Sequence, residues 1–323
     1  MKKEIKIFYS KNWPSNSAGK QDYELLDTGD GEKLERFGKY VFVRPYEDAV
    51  WKKCQTLGVG QVGQGWGNAD GKFWSSKVGA KAGWKMNFKN VKHSVFDKKW
   101  EMEYRGIKFL ASPTPFRHLG FFPEQASHWD FIEEKITCAR TVLAQGQRKI
   151  KFLNLFGYTG VASLFALRAG AEVTHVDASK QVLNWAKENQ KLNSHLDLEK
   201  MPMRIIEDDA LKFLEREEKR GNKYDAVIMD PPKFGRGPKG EIWKIEEMLP
   251  KLLSAVRKVL SDKILFIILT SYATDSSSLS LGYALEDMMK DFSGTTEAGE
   301  LCILEKSNKR IISLANTAVW QIN

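Results

Sequence analysis

The chain has 323 residues, 42% of them hydrophobic and 28% charged, the balance of a soluble globular protein of two domains. Its net charge of +9 lies entirely in the first 117 residues, where 22 Lys+Arg face 13 Asp+Glu, while the remainder balances at 28 of each. The longest apolar run, Ile264 to Leu269, falls far short of the roughly 20 residues that a spanning helix needs, and the basic start Met1-Lys2-Lys3 leads into no apolar stretch of the kind a secretory signal carries.

Positive charge concentrated in one module suits a polyanionic partner such as RNA or DNA, although a solvated lysine-rich face has the same composition. The N-terminal part, residues 1–112, reads as a basic, tryptophan-rich β module. Tyr40 to Val43 and Trp100 to Tyr104 are β-prone, and Asp27-Thr28-Gly29-Asp30-Gly31, Asn68-Ala69-Asp70-Gly71 and Arg105-Gly106 are turn-forming. Six tryptophans fall here: Trp13, Trp51, Trp66, Trp74, Trp84 and Trp100. They either fill a small β core or offer a base-stacking surface. The stretch from Gly58 to Gly67 is Gly- and Gln-rich and reads as a long loop. Three widely spaced cysteines (Cys54, Cys138, Cys302) form no disulfide or zinc pattern and fit a reducing, cytoplasmic setting. The five histidines have no metal-like spacing either, and His118 and His128 read best as core or surface residues.

Residues 113–323 form the second predicted domain. After the Pro113-Thr114-Pro115 break, Trp129, Ile132, Ile136, Ala139 and Leu143 predict an amphipathic helix. Strand and helix then alternate regularly, which implies parallel crossovers. The predicted strands are Phe152 to Phe156, Glu172 to Asp177, Arg204 to Ile206, Ala226 to Met229 and Ile264 to Leu269. The spacing from Leu249 to Leu260 predicts a helix in which Pro250 is tolerable only near the first turn. Tyr283 to Met289 is expected to be helical, and Leu301 to Leu304 with Arg310 to Leu314 to form a terminal antiparallel pair.

The chemistry concentrates at the carboxyl ends of these strands, where open α/β sheets bind ligands. Asn154-Leu155-Phe156-Gly157-Tyr158-Thr159-Gly160 ends the first; its glycines permit a tight turn or a close approach to a ligand. Asp177 ends the second, twenty positions after Gly157, where a carboxylate can accept ribose hydroxyls. Glu207-Asp208-Asp209-Ala210 follows the third and places an acid near an adenine amine. Any one such acid is more often a helix cap; three strand ends in succession with this spacing argue for a nucleoside site. The fourth end is Asp230-Pro231-Pro232-Lys233-Phe234. Its prolines stiffen the turn so that the Asp230 carboxylate and Pro231 carbonyl aim at a substrate amine, with Phe234 able to stack on a base.

The motifs NLFGYTG, VDAS, EDDALKFL and DPPKFGRGPKGEIW resemble those of the class I S-adenosylmethionine-dependent methyltransferase family related to bacterial 23S ribosomal RNA methyltransferases. The resemblance covers about residues 110–320. It implies an α/β, Rossmann-like fold with a mixed seven-stranded sheet, preceded by the smaller β-rich domain. It also implies S-adenosyl-L-methionine as cofactor, held by Asn154, Phe156, Gly157, Tyr158, Thr159 and Gly160 around the methionine portion. By the same resemblance Asp177 and Ala178 lie at the ribose and Asp209 and Ala210 at the adenine, with Gln125 as a further contact. Asp230, Pro231, Pro232 and Phe234 would then carry the transfer, with ribosomal RNA as the expected substrate. Relatives that methylate cytosine at carbon 5 carry a nucleophilic cysteine just after the fifth strand. Here that stretch reads Leu269-Thr270-Ser271-Tyr272-Ala273-Thr274, so a base nitrogen is the expected target. The alternatives are the same fold acting on a protein side chain or small molecule, and a non-catalytic RNA-binding factor that keeps the pocket.

Overall fold

The computed structural model describes residues 4–10, 13, 21–54, 65–75, 82–87, 99–142, 149–201, 203–272 and 276–323. They form two compact units that exchange segments along the chain. One comprises Met1–Phe8, Ser127–Cys302 and Ser313–Asn323, the other Tyr9–Ala126 and Ile303–Ile312. A single cut between 112 and 113 therefore does not describe the division. The first strand, β1 (Lys6–Phe8), belongs to the C-terminal sheet, and residues 303–312 belong to the N-terminal unit.

In the N-terminal unit, β2 (Tyr23–Gly29), β3 (Glu32–Phe37) and β4 (Tyr40–Pro45) form an antiparallel meander. β5 (Gly71–Ser75) joins β4 in parallel and pairs antiparallel with β6 (Ala82–Met86). A separate hairpin joins β7 (Trp100–Tyr104) to β8 (Ile107–Ala111). Two of the two-residue turns, Asp30-Gly31 and Arg105-Gly106, hold both residues at positive φ. That is the two-residue turn whose twist matches the flanking strands.

Most of the described aromatic residues of this unit face inward, Phe116 and Trp74 being exposed. Trp13 packs on Tyr23, Tyr104, Phe109 and Phe121, while Trp84 and Trp100 pack on Phe42. The indole N–H groups of Trp51 and Trp66 donate to Thr28 and Asp27, and of the six tryptophans only Trp74 is largely exposed. The core reading of the tryptophans holds over the base-stacking one. Many of the cations are likewise engaged within the unit. Arg44 donates two 2.6 Å hydrogen bonds to the buried Glu35 carboxylate, Arg36 pairs with Glu24, and Lys53 with Glu32. Burial works to raise the Glu35 carboxyl, but Arg44 and Lys33 outweigh it and hold it at about 2. Lysines 77, 81, 89, 92 and 98, and residues 58–64 of the expected Gly/Gln-rich loop, lie outside the described residues. Residues 303–312 are tied in by Ser307, which donates to Asp27, and by Glu305, which accepts from the Thr28 N–H and hydroxyl.

The C-terminal unit opens with the helix α1 (Ala126–Val142) and then alternates as its sequence predicts. β9 (Lys151–Leu155), α2 (Val161–Arg168), β10 (Glu172–Asp177), α3 (Lys180–Leu192), β11 (Met203–Glu207), α4 (Ala210–Lys219) and β12 (Ala226–Met229) follow one another. A small hairpin, β13 (Phe234–Arg236) with β14 (Ile242–Lys244), leads into α5 (Ile245–Lys258). β15 (Phe266–Ser271), α6 (Ser278–Met289), β16 (Gly294–Leu304) and β17 (Ile311–Ile322) complete the chain. The sheet order is β1-β16-β17-β15-β12-β9-β10-β11, with β11, β10, β9, β12 and β15 mutually parallel and β17 antiparallel to β15.

The expected seven strands are thus present, with β1 added as an eighth beside β16. Gly299 admits β1, because a Cβ there would collide with the Lys6 backbone. The central strands are buried on both faces, which is why they read as continuous apolar runs. α5 begins at Ile245, so Pro250 lies in its second turn, not its first, and removes the hydrogen bond its N–H would have made to Glu246.

Candidate active site

Strand order reverses around β9: β10 and β11 lie on one side, β12 and β15 on the other. The crevice at the carboxyl ends of the strands next to such a reversal is where open α/β sheets bind ligands. Within the C-terminal unit it gathers the loops 156–160, 177–179, 208–209 and 230–234.

The loop after β9 is built differently from its sequence reading. Gly160 caps α2 in the left-handed region at φ 83°, as a glycine should. Phe156 (φ 56°) and Tyr158 (φ 54°), however, carry the other left-handed turns. Each non-glycine residue held there costs roughly 1–2 kcal/mol. Gly157 is glycine because a Cβ would run into the ring of His175 on β10; its close approach is to the protein interior. His175 is buried and links the loop to the strands beneath it. Asn154 Nδ2 lies 3.0 Å from Ser163 Oγ, Ser163 Oγ 3.0 Å from His175 Nδ1, and His175 Nε2 3.2 Å from the Tyr158 carbonyl. One tautomer satisfies the whole chain: Asn154 donates to Ser163, Ser163 to Nδ1, and Nε2–H to Tyr158. Burial holds His175 neutral by lowering its pKa to about 4. Asn154 and Gly157 thus shape this loop from below, while the Thr159 carbonyl accepts from Asn189.

Asp177 fastens the same loop from the next strand end. Its Oδ2 accepts from the Tyr158 N–H and its Oδ1 from the Ser179 N–H, both at 2.9 Å. Burial nevertheless raises its pKa above the usual carboxylate value. A carboxylate has about four acceptor positions, so acceptor capacity remains for an outside donor. Ala178 is half-buried beside it.

At the third strand end the two neighbouring acids divide the work. Asp208 pairs with Arg216 and accepts from the Asp209 N–H. Asp209 caps α4 by accepting from the Lys212 N–H at 3.0 Å, and Ala210 is the buried first residue of that helix.

At the fourth end Asp230 is half-buried, Pro231 buried, and Pro232 exposed. The β13–β14 hairpin then folds back on this turn. Trp243 is buried, donates its indole N–H to the Pro232 carbonyl at 2.6 Å, and meets the Phe156 ring edge-on at 5.0 Å. Phe234, the first residue of the hairpin, is 57% exposed. The sequence reading missed the hairpin, and also His175 and Ser163; the Gly237-Pro238-Lys239-Gly240 run was the available turn signal.

Gln125 ends a one-turn 3-10 helix in the N-terminal unit, just before α1, and is buried there. His118 and His128 are held neutral at about 3, by burial in both cases and at His118 also by Arg44; His128 lies 3.0 Å from Thr317 Oγ1 within its unit. Of the cysteines, Cys138 is on α1, Cys54 in the N-terminal unit, and Cys302 buried in β16 with its thiol pushed up to about 12. After β15, residues 273 and 274 lie outside the described residues. Among the described residues no group of three or more His, Cys, Asp or Glu is placed to hold a metal, and no helix is long and apolar enough to cross a membrane.

The geometry agrees with what the chain resembles. A family profile described as S-adenosylmethionine-dependent methyltransferase matches residues 128–264. A crystal structure of a SAM-dependent methyltransferase from Agrobacterium tumefaciens superposes with a TM-score of 0.84 at 37% identity, covering 100% of this chain and 97% of that one. The ribosomal RNA large subunit methyltransferase K of Neisseria meningitidis serogroup B is 36% identical over 145 residues, 43% of this chain and 40% of that protein. Methyltransferase I of Aeromonas salmonicida is 34% identical over 134 residues, 41% of this chain and 30% of that protein. The chain therefore spans well under half the length of these two curated relatives. A strand order that reverses at β9, acids at successive strand ends, and likeness along nearly the whole Agrobacterium protein lead to one conclusion: this chain belongs to the S-adenosylmethionine-dependent methyltransferases.

Proposed function

We propose that the protein methylates a nitrogen of a nucleobase in ribosomal RNA. The observation that carries this reading is the fourth strand end: an acid and two prolines beside the β9 loop, followed by an exposed aromatic on an anchored hairpin. Further support comes from the ribosomal RNA methyltransferases that the chain resembles over part of their length, and from the absence, among the described residues, of a cysteine at the end of a central strand.

The residues present suit the cofactor. The loop 154–160, held by His175 and Asp177, would border its methionine portion. The acceptor position left on Asp177 suits a ribose hydroxyl, with Ala178 alongside. Asp209 and Ala210 would border the adenine. When bound, S-adenosyl-L-methionine supplies an electrophilic methyl group. The protein's own task is then mainly to position the acceptor. Asp230 and the Pro231 carbonyl accept hydrogen bonds from the target amino group and orient its lone pair. Asp230 also receives the proton that the nitrogen sheds. Pro232, lacking an N–H, stiffens the turn, and Phe234 lies against the base.

The test is to incubate the protein with methyl-labelled S-adenosyl-L-methionine and total RNA, DNA, protein and small-molecule fractions. Label is expected in RNA, as an N-methylated nucleoside after digestion. Label only in protein or metabolites would overturn the RNA assignment, and 5-methylcytosine would overturn the nitrogen target. Asp230→Ala is expected to bind S-adenosylhomocysteine normally and to lose transfer at least a hundredfold; full turnover would refute its role.

A further inference from the structure

The β13–β14 hairpin presents an unusual face. Side chains alternate across a strand, so Phe234, Arg236, Ile242 and Lys244 share one side, and Gly235 and Trp243 the other. All four on the first side are exposed, Phe234 and Ile242 by 57% each, whereas Trp243 is only 5% exposed. In the register of the pair, Phe234 stands opposite Lys244 and Arg236 opposite Ile242. Each cross-strand pair therefore couples one apolar group with one cation, in a diagonal pattern.

The face is held in place against the reaction site. Trp243 anchors it to the core, to the Pro232 carbonyl and to Phe156. Gly235 lets the ribbon close on Pro232, whose Cγ would lie 3.2 Å from a Cβ there. The turn is braced by Glu241, which accepts from Lys212 of α4 and from the Lys239 N–H. Its one acid is thus engaged by neighbours, and the outer face carries Arg236 and Lys244, the latter also donating to the exposed Glu247 at 2.9 Å, a surface pair that a phosphate would replace.

We propose that this outer face is a docking strip for single-stranded RNA immediately beside the methylated base; the inference rests on the RNA reading above. Single strands are held by cations that follow the phosphates and by apolar or aromatic groups against the base faces. The diagonal pattern supplies both. Two residue steps along the strand span about 7 Å, enough for about two stacked nucleotides at about 3.4 Å each. Ile242 and Arg236 would therefore meet a nucleotide about two base steps from the one at Phe234.

The test uses the whole 323-residue chain with protein-free total RNA. Arg236→Glu with Lys244→Glu is expected to raise the KM for RNA at least tenfold and to lower the salt dependence of RNA binding by about one to two phosphate contacts. Ile242→Ser is expected to raise KM several-fold. S-adenosylhomocysteine affinity should stay within twofold of the parent in both, which also reports intact folding. Should the charge-reversed protein fail to bind that product, Arg236→Gln with Lys244→Gln replaces it, with at least a threefold rise in KM expected. If the parent protein labels RNA and these variants match its KM and salt dependence, the inference is overturned and the RNA reading stands. If the parent labels no RNA, both fall. Loss of labelling of an acidic protein fraction in the variants would overturn RNA as the occupant.

Discussion

At the scale of single residues, the most informative position is Gly157. Its spacing from Asp177 is visible in the sequence, and so is its freedom from a side chain. What fills the space is not visible: the buried ring of His175, eighteen positions on and one strand over. The Asn154–Ser163–His175–Tyr158 chain was hidden for the same reason, because its members lie on β9, α2, β10 and a loop and share no sequence period. Left-handed backbone at Phe156 and Tyr158 needs an opposing force, and the bonds from His175 and Asp177 to Tyr158 provide one. Gly157→Ala would drive a methyl group into a ring with little room to yield. It is expected to destabilise the protein by about 1–3 kcal/mol and to weaken S-adenosylhomocysteine binding, as urea unfolding and calorimetry would read. An unchanged urea midpoint would show that His175 can move aside.

At the scale of elements, legibility tracked length and burial. Glu172–Asp177 and Ala226–Met229 match their sequence reading residue for residue: the second is a continuous apolar run, and the first carries the β-branched Val173, Thr174 and Val176 in its buried middle. β16 and β17 run eleven and twelve residues, well beyond the short segments expected: the missed part of β16 reads GTTEAGE and is largely polar, whereas in β17 Asn316 and Thr317 interrupt a run that continues buried through Ala318, Val319 and Trp320. The three-residue strands β1, β13 and β14 are too short to show any period. Pro250 shows a local rule yielding to packing. α5 passes through it because Ile245, Leu252, Leu253 and Val256 are buried together on one face. Pro250 is itself exposed, so Pro250→Ala should restore the bond to Glu246 without disturbing the core. A gain of about 1–3 kcal/mol is expected in urea unfolding. A loss would mean that the helix is bent around the proline in a way the packing needs.

At the scale of the whole molecule, three histidines are held neutral by their surroundings. His118 and His128 stand at about 3 and His175 at about 4, against 6.5 in the absence of structure. Between those values the unfolded chain takes up protons that the folded protein refuses. Stability is therefore complete above about pH 6.5 and is lost as pH falls toward 4. Glu35 and Glu217, whose partners hold both carboxyls at about 2, add a further loss below about pH 4.5. Replacing one buried histidine should remove one proton from the first transition, or about 1.4 kcal/mol per pH unit of slope. His128→Gln is thus expected to lose less stability than the parent between pH 6.5 and 4 in denaturant titrations. Parallel curves would show that His128 is protonated in the folded state.

The sequence by itself determined the family, the five parallel strands and the strand-end acids. These depend on local apolar runs and on motif spacing along one stretch of chain. The tertiary structure alone decided that Gly157 makes room for His175, that Asp209 also caps a helix, and that much of the N-terminal charge is met by neighbouring acids. It also decided that residues 6–8 and 303–312 each join the unit built mainly from the other part of the chain. Each of these depends on which side chains meet across strands, and a linear pattern records what a residue is before it records what stands opposite.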